Sequence, residues 1–338
     1  MLGNMKRWTC EIIENPVKKA FPILSYPSVQ LLGVSVKDLI LSSVLQARGM
    51  KLIADRTDSA ASVSLMDLSV EAECFGAPVR YSDNEIPAVT GNIISSAGQA
   101  DALKVPKIGS GRTNIYLDAV TKAVEAISDR PVFAGAIGPF SLAGRLTGVS
   151  KIMISCYDEP EIVNKVLEKV TEFILAYCLE FKKSGANGVI LAEPLAGLLS
   201  PSLAEEFSAR FVKEIADAVQ DDEFIVIYHN CGNGTVRMID SILSTGCAAY
   251  HFGNAIDMAE MMPHIPPGVI AMGNVDPVGE FCNGTTSSIR GRTAEILKKC
   301  GSYDNFIISS GCDIPPMAKW ENIDEFYKAA RDYYTRRR

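Results

Sequence analysis

The 338-residue sequence lacks features that would assign it to several large classes of protein. It has no uninterrupted run of about 18 apolar residues, so we expect no membrane-spanning helix. Its first residues lack the apolar stretch of a signal peptide, which favours a cytoplasmic location. The formal net charge is −7, and the only basic run is the terminal Arg336-Arg337-Arg338. Nucleic acid and membrane surfaces are therefore not expected partners.

Two common active-site motifs are also absent. No Gly-x-Ser-x-Gly occurs, so nothing indicates a serine hydrolase. No glycine-rich dinucleotide turn follows the first predicted strand, which argues against an open doubly wound sheet. The glycine pair in Gly109-Ser-Gly-Arg-Thr has no apolar strand before it, and we interpret it as a turn rather than a phosphate-binding loop. The nine cysteines are scattered and odd in number, so we expect reduced thiols.

Short β-prone apolar runs alternate with segments of helical periodicity to the end of the chain, which predicts a parallel α/β fold. We expect residues 1–338 to form a single (β/α)8 TIM barrel with an N-terminal extension. A long excursion at about 67–130 is expected to lie over one mouth as a lid or wall. The eight predicted strands are Phe21 to Val29, Val63 to Met66, Val132 to Ile137, Gly188 to Ala192, Phe224 to Tyr228, Ala248 to Phe252, Val269 to Met272 and Phe306 to Ile308.

Polar residues follow several of these strands, at the ends that meet at one mouth of a barrel. In an extended chain residues i and i+2 project to the same face, so His229 and Cys231 can bind one metal ion. Cys312 follows the last strand and completes a set of three. Three mixed nitrogen and sulfur ligands are typical of catalytic zinc sites, which keep a fourth position open, whereas structural sites use four ligands.

Other interpretations of these residues stay open at this point. Polar residues follow strands in any α/β protein because they form turns. A cysteine-histidine nucleophile pair is also possible, although a second adjacent cysteine makes a metal thiolate the simpler account. His251 is expected to line the barrel or to be hydrogen-bonded, and His264 to lie in a loop.

Six segments of the sequence carry recognisable motifs, namely 67–76, 138–144, 193–194 with 199–201, 229–232, 273–277 and 310–316. These segments resemble motifs of the uroporphyrinogen decarboxylase superfamily, and within it of the methylcobamide:coenzyme M methyltransferase branch. The resemblance spans nearly the whole chain and implies a (β/α) barrel. The decarboxylases use paired arginines near the N-terminus and a histidine in the last strand motif. Here residues 15–27 contain no arginine, and the last motif carries Cys312, which favours a zinc methyltransferase.

The resemblance implies a mechanism in which zinc on His229, Cys231 and Cys312 activates a small thiol, such as coenzyme M, as a thiolate. The thiolate attacks the methyl group of a methylated corrinoid, which we expect on a partner corrinoid protein. Glu193 is predicted as a further zinc ligand, with a hydrogen bond to His229 as the alternative.

The expected substrate pocket involves further strand-end and excursion residues. Glu71, Glu73, Asn274 and Asp276 are predicted to shape it, with turn and rim structure as the alternative. The sulfonate of coenzyme M would need a cationic contact, and the candidates are Arg112, Arg145 and Lys104. Two other functions stay open, namely decarboxylation of a tetrapyrrole and a non-catalytic corrinoid-handling role in which zinc only stabilises the fold.

Overall fold

A parallel sheet is the central element of the computed structural model, which describes residues 3–336. Its seven strands are the first and the last six along the chain, and their order in the sheet follows the chain without reversal, unlike a doubly wound sheet. The two strands between them in sequence form a separate antiparallel pair. The strands are β1 (Ser62–Val63), β2 (Val79–Arg80), β3 (Ala88–Val89), β4 (Val132–Ile137), β5 (Gly188–Ala192), β6 (Ile225–Asn230), β7 (Ala249–Phe252), β8 (Ile270–Val275) and β9 (Phe306–Ser310).

Helices connect the strands and cover the outer face of the sheet. They are α1 (Met5–Glu14), α2 (Ser28–Leu32), α3 (Val36–Ile40), α4 (Ser43–Arg56), α5 (Val70–Cys74), α6 (Ala97–Ala102), α7 (Thr113–Ala126), α8 (Pro139–Thr147), α9 (Val149–Asp158), α10 (Pro160–Lys183), α11 (Pro201–Ala204), α12 (Arg210–Val219), α13 (Ile239–Ser244), α14 (Met258–Met261), α15 (Thr286–Cys300) and α16 (Trp320–Thr335). Short 3₁₀ turns span Ala196–Leu198, Thr235–Met238 and Met262–His264, and π-helical turns span Glu205–Ala209 and Pro277–Cys282. None of the helices between residues 3 and 336 is both long and apolar enough to cross a membrane.

The sheet curls around an inner apolar core that is separate from the core under the helices. Alternate strand residues such as Phe133, Ile190 and Ile227 belong to the inner core, as the two-residue period of a strand requires. Helix α1 packs its Trp8 against the same core. Because Ile227 points inward on β6, the side chain two residues later, that of His229, also points inward, at the carboxyl end of the strand.

The first predicted strand along the chain, Phe21 to Val29, is wrong. Residues 20–24 are extended and lie between the two edge strands, where Phe21 N–H donates to the Ile308 carbonyl (3.0 Å) and Ala60 N–H donates to the Ala20 carbonyl (2.9 Å). These isolated bonds do not form a ladder, and residues 28–32 are helical. Pro22 and Pro27 explain the difference, because neither carries the N–H that a strand needs.

The excursion between β1 and β4 is tied down by a buried arginine. The guanidinium of Arg112 donates to Glu73 (2.6 Å) and Ser69 (2.8 Å) and pairs with Asp67. Gly109 and Gly111, in the segment that delivers Arg112, have φ values of +100° and +54°. Such angles favour glycine, and the segment is a turn, as interpreted from the sequence.

Candidate metal centre

Three predicted residues come together at the carboxyl end of the sheet. His229 lies in β6, Cys231 follows that strand directly, and Cys312 lies two residues after β9. Their ligand atoms all lie within 4.8 Å of one another, and His229 Nε2 is 3.5 Å from Cys312 Sγ. His229 is only 2% exposed, whereas both cysteines are half-buried. The structure therefore assembles one nitrogen and two sulfur donors that remain open to a ligand on the sulfur side.

A hydrogen bond joins the two thiols. A hydrogen bond from Cys312 lowers the pKa of Cys231 well below its usual value, although burial acts in the opposite direction. The same hydrogen bond, together with burial, raises the pKa of Cys312. Cys231 is therefore the thiol that ionises more readily, and its thiolate would attract a cation to the group.

A hydrogen-bond chain fixes which nitrogen of His229 faces the cysteines. The Phe21 carbonyl can only accept, so the Ser309 hydroxyl donates to it (2.7 Å). Ser309 Oγ then accepts from His251 Nε2–H (2.8 Å), and His251 Nδ1 accepts from His229 Nδ1–H (2.8 Å). Burial lowers the pKa of His251, which keeps its ring neutral. In the neutral ring of His229 the proton therefore lies on Nδ1 and the bare Nε2 faces Cys312, which is the tautomer that a metal ligand needs.

Of these partners, His251 was expected from the sequence as a barrel-lining or hydrogen-bonded residue, and the structure confirms this. Ser309 was missed. Strand periodicity contained the signal, because Ile307 belongs to the inner core and Ser309 lies two residues further along the same strand.

The backbone behind Cys231 is closely packed. A Cβ atom on Gly253 would lie 2.4 Å from the Cα atom of Cys231, well inside the contact distance of two carbons. Gly253 N–H also donates to the carbonyl of Asn230 (3.0 Å). The chain after β7 therefore supports the position of Cys231 directly.

Glu193 lies outside the group of three. It is fully buried, and its carboxylate accepts hydrogen bonds from the N–H groups of Phe140 (2.8 Å) and Ser141 (3.1 Å) and from the Ser141 hydroxyl (2.8 Å). A carboxylate at the start of α8 interacts favourably with the free N–H groups there. Burial raises the pKa of Glu193 to about 7. To reach a metal ion, Glu193 would have to release these three bonds.

The structure places the predicted pocket residues in other local roles. Glu71 is 1% exposed and accepts from Ile137 N–H (3.0 Å). Asn274 donates to the carbonyls of Gly253 (3.0 Å) and Ile256 (2.8 Å). Asp276 accepts from the first N–H groups of the π-helical turn that follows it, and Glu73 pairs with Arg112. Their contact with a substrate stays a prediction.

A cavity of about 220 Å³ borders Cys312. The residues of the excursion supply most of one wall, which is largely apolar. Arg145, from the last turn of α8, and Asp313 supply polar groups. The lining residues are Met66, Leu68, Ser69, Ile86, Pro87, Val89, Arg145, Cys312 and Asp313.

Comparison with proteins of known structure shows the fold. The structure of a methyltransferase from Methanosarcina mazei superposes with a TM-score of 0.85 at 22% identity, covering 98% of this chain and 99% of that one. A B12-independent methionine synthase from Shewanella sp. W3-18-1 superposes with a TM-score of 0.59 at 11% identity, covering 95% and 97% of the two chains.

Comparison of sequences shows the family. The Methylcobamide:CoM methyltransferase MtbA of Methanosarcina acetivorans is 26% identical over 271 residues, which is 79% of this chain and 78% of that protein. A uroporphyrinogen decarboxylase of Coxiella burnetii is 25% identical over 283 residues, which is 81% and 77% of the two chains. Residues 25–333 match the family described as Uroporphyrinogen decarboxylase (URO-D). The chain therefore belongs to the uroporphyrinogen decarboxylase family.

Proposed function

We propose that this protein is a zinc-dependent methyltransferase that moves a methyl group from a methylated corrinoid to a small thiol such as coenzyme M. The observation that carries the proposal is the group formed by His229, Cys231 and Cys312, with ligand atoms within 4.8 Å of one another. Similarity to methylcobamide:CoM methyltransferases supports the same activity.

The donor set fits zinc. Imidazole and thiolate are the ligands that zinc prefers, and His229 presents an unprotonated Nε2 to the two sulfurs. Three protein ligands leave one position for a substrate. Zinc bound there would act as a Lewis acid that lowers the pKa of an incoming thiol, so that the thiol reacts as a thiolate.

In the proposed reaction the substrate sulfur forms a bond to the methyl carbon while the carbon–cobalt bond breaks. The electron pair of that bond stays on cobalt, which passes from Co(III) to Co(I). Cys231 and Cys312 contribute negative charge that keeps the substrate sulfur nucleophilic, while His251 and Ser309 hold His229 in orientation. The thiol proton passes to solvent water when the thiol binds, before the attack.

The cavity beside Cys312 favours a small acceptor. Its volume of about 220 Å³ accommodates a short thiol and is too small for a tetrapyrrole macrocycle. A corrinoid would therefore have to approach from the open mouth, and we propose that a partner corrinoid protein presents it there. In the same proposal residues 20–24 take the eighth position of a (β/α)8 barrel. A cytoplasmic location stays a prediction.

An anaerobic assay with methylcobalamin tests this function. Zinc-loaded protein is mixed with methylcobalamin and a panel of small thiols, and the cobalamin absorption spectrum is followed. We expect demethylation that requires both the thiol and zinc. An unchanged spectrum with every thiol would count against the proposal, and conversion of uroporphyrinogen by metal-free protein would favour decarboxylation instead. Loss of the fold on chelation would indicate a structural metal.

A further inference from the structure

Arg145 brings a positive charge to the cavity beside Cys312. It lies half-buried in the last turn of α8 and lines that cavity. Among residues 3–336 no carboxylate or hydrogen-bond acceptor holds its guanidinium, and burial, with nothing to offset it, lowers its pKa. A charge removed from water without a partner is costly, so a site of this kind gains from binding an anion.

The other two candidate cations are placed differently. Arg112 is buried and already engaged by Asp67 and Glu73. Lys104 is exposed and does not line the cavity. Asp313 does line it, but forms no ion pair with Arg145 in the part of the chain that the structure describes. Arg145 is therefore the cation of the three that a ligand in this cavity would meet.

We propose that Arg145 binds the anionic end of the thiol substrate, so that the site selects short thiols that carry a sulfonate or carboxylate. The inference rests on the proposed function. A guanidinium forms charge-assisted, often paired hydrogen bonds with such anions. Arg145 and Cys312 both lie on the cavity wall. Arg145 would hold the anionic group of the thiol while its sulfur is directed towards Cys312. The apolar wall formed by residues such as Leu68, Ile86 and Val89 suits a short hydrocarbon spacer.

The test compares two thiols with the same two-carbon spacer, 2-mercaptoethanesulfonate and neutral 2-mercaptoethanol, with methylcobalamin as donor. In the native protein we expect KM for the sulfonate to be about 10- to 100-fold lower than KM for the alcohol. Arg145→Gln should raise KM for the sulfonate by about the same factor and leave KM for the alcohol unchanged. Arg145→Lys should have a KM for the sulfonate between those of the native protein and Arg145→Gln. Lys104→Gln is the control and should have the KM values of the native protein.

A direct binding measurement tests the anion site without requiring methyl transfer. Ethanesulfonate, which has no thiol, is titrated calorimetrically into metal-free native protein and into Arg145→Gln. We expect binding by the native protein and a loss of affinity of about 10- to 100-fold in the variant. Equal affinities, or equal KM changes for both thiols, would overturn the role of Arg145 even if methyl transfer is found. Arginine-dependent binding of ethanesulfonate without any methyl transfer would support the anion site and overturn the proposed function.

Discussion

Replacement of Cys312 by alanine is expected to abolish stoichiometric zinc binding and to lower the rate of thiol methylation by a factor of at least about 100. Cys312 Sγ lies 3.5 Å from His229 Nε2, so the variant removes one of only three donors in the group. Loss of a hydrogen-bond partner behind a ligand already lowers metal affinity or activity by about 10- to 100-fold, and loss of the ligand itself should do more. Zinc content by atomic absorption and the methylcobalamin assay measure the two effects.

The matched control is Cys282→Ala. Cys282 is also half-buried, but it ends the π-helical turn after β8 and does not belong to the group of three. Its replacement should leave one zinc per chain and the native rate. Circular dichroism should show that Cys312→Ala keeps the native secondary structure, because a catalytic metal is not required for folding. Native zinc content or native activity in Cys312→Ala would refute the proposed ligand set.

Replacement of Glu71 by glutamine is expected to flatten the pH dependence of stability between pH 5 and pH 8. Burial raises the pKa of Glu71 from 4.5 to about 8, although the hydrogen bond from Ile137 N–H acts against this. The folded state therefore binds a proton that the unfolded state releases in this range. The stability that Glu71 contributes is fully present below pH 4.5 and is lost as the pH rises through 8. The loss amounts to about 3–5 kcal/mol of the free energy of unfolding.

Glutamine keeps an acceptor for Ile137 N–H but cannot ionise. Urea unfolding at several pH values measures the free energy of unfolding of both proteins. The difference between the two values at each pH isolates the contribution of Glu71, because Glu193 is present in both proteins. We expect the free energy of unfolding of the native protein to fall relative to that of Glu71→Gln as the pH rises. Glu172→Gln, on an exposed position of α10, is the control and should give parallel curves. A constant difference between native and Glu71→Gln protein from pH 5 to pH 8 would contradict the assignment.

The three candidate metal ligands were predictable because their positions depend on local rules. Apolar runs located β6 and β9, and the two-residue period of an extended chain placed His229 and Cys231 on one side. Parallel strands bring their carboxyl ends to the same edge, which predicted that Cys312 would join them. The structure confirms the proximity of all three. An apolar run also predicted a strand at Phe21 to Val29, and this prediction was wrong because Pro22 and Pro27 have no N–H to donate to a neighbouring strand.

The remaining features depend on contacts between distant segments. Glu193 follows a strand, as a ligand would, but it meets the N-terminus of α8 more than fifty residues earlier in the chain. No local pattern distinguishes these two roles. Similarly, the sequence offered three cations for an anionic substrate, and only the folded excursion shows that Arg112 is already paired while Arg145 faces the cavity. Long-range packing decides such cases.

Zinc X-ray absorption spectroscopy, recorded before and after addition of the thiol substrate, tests the central claim most directly. The group of His229, Cys231 and Cys312 supplies two sulfur ligands and one nitrogen ligand. We predict two sulfurs in the zinc shell of the resting protein and three after the thiol binds. A sulfur number that does not change with the thiol, or a resting shell already filled by four protein ligands, would contradict the claim that this centre binds and activates a thiol.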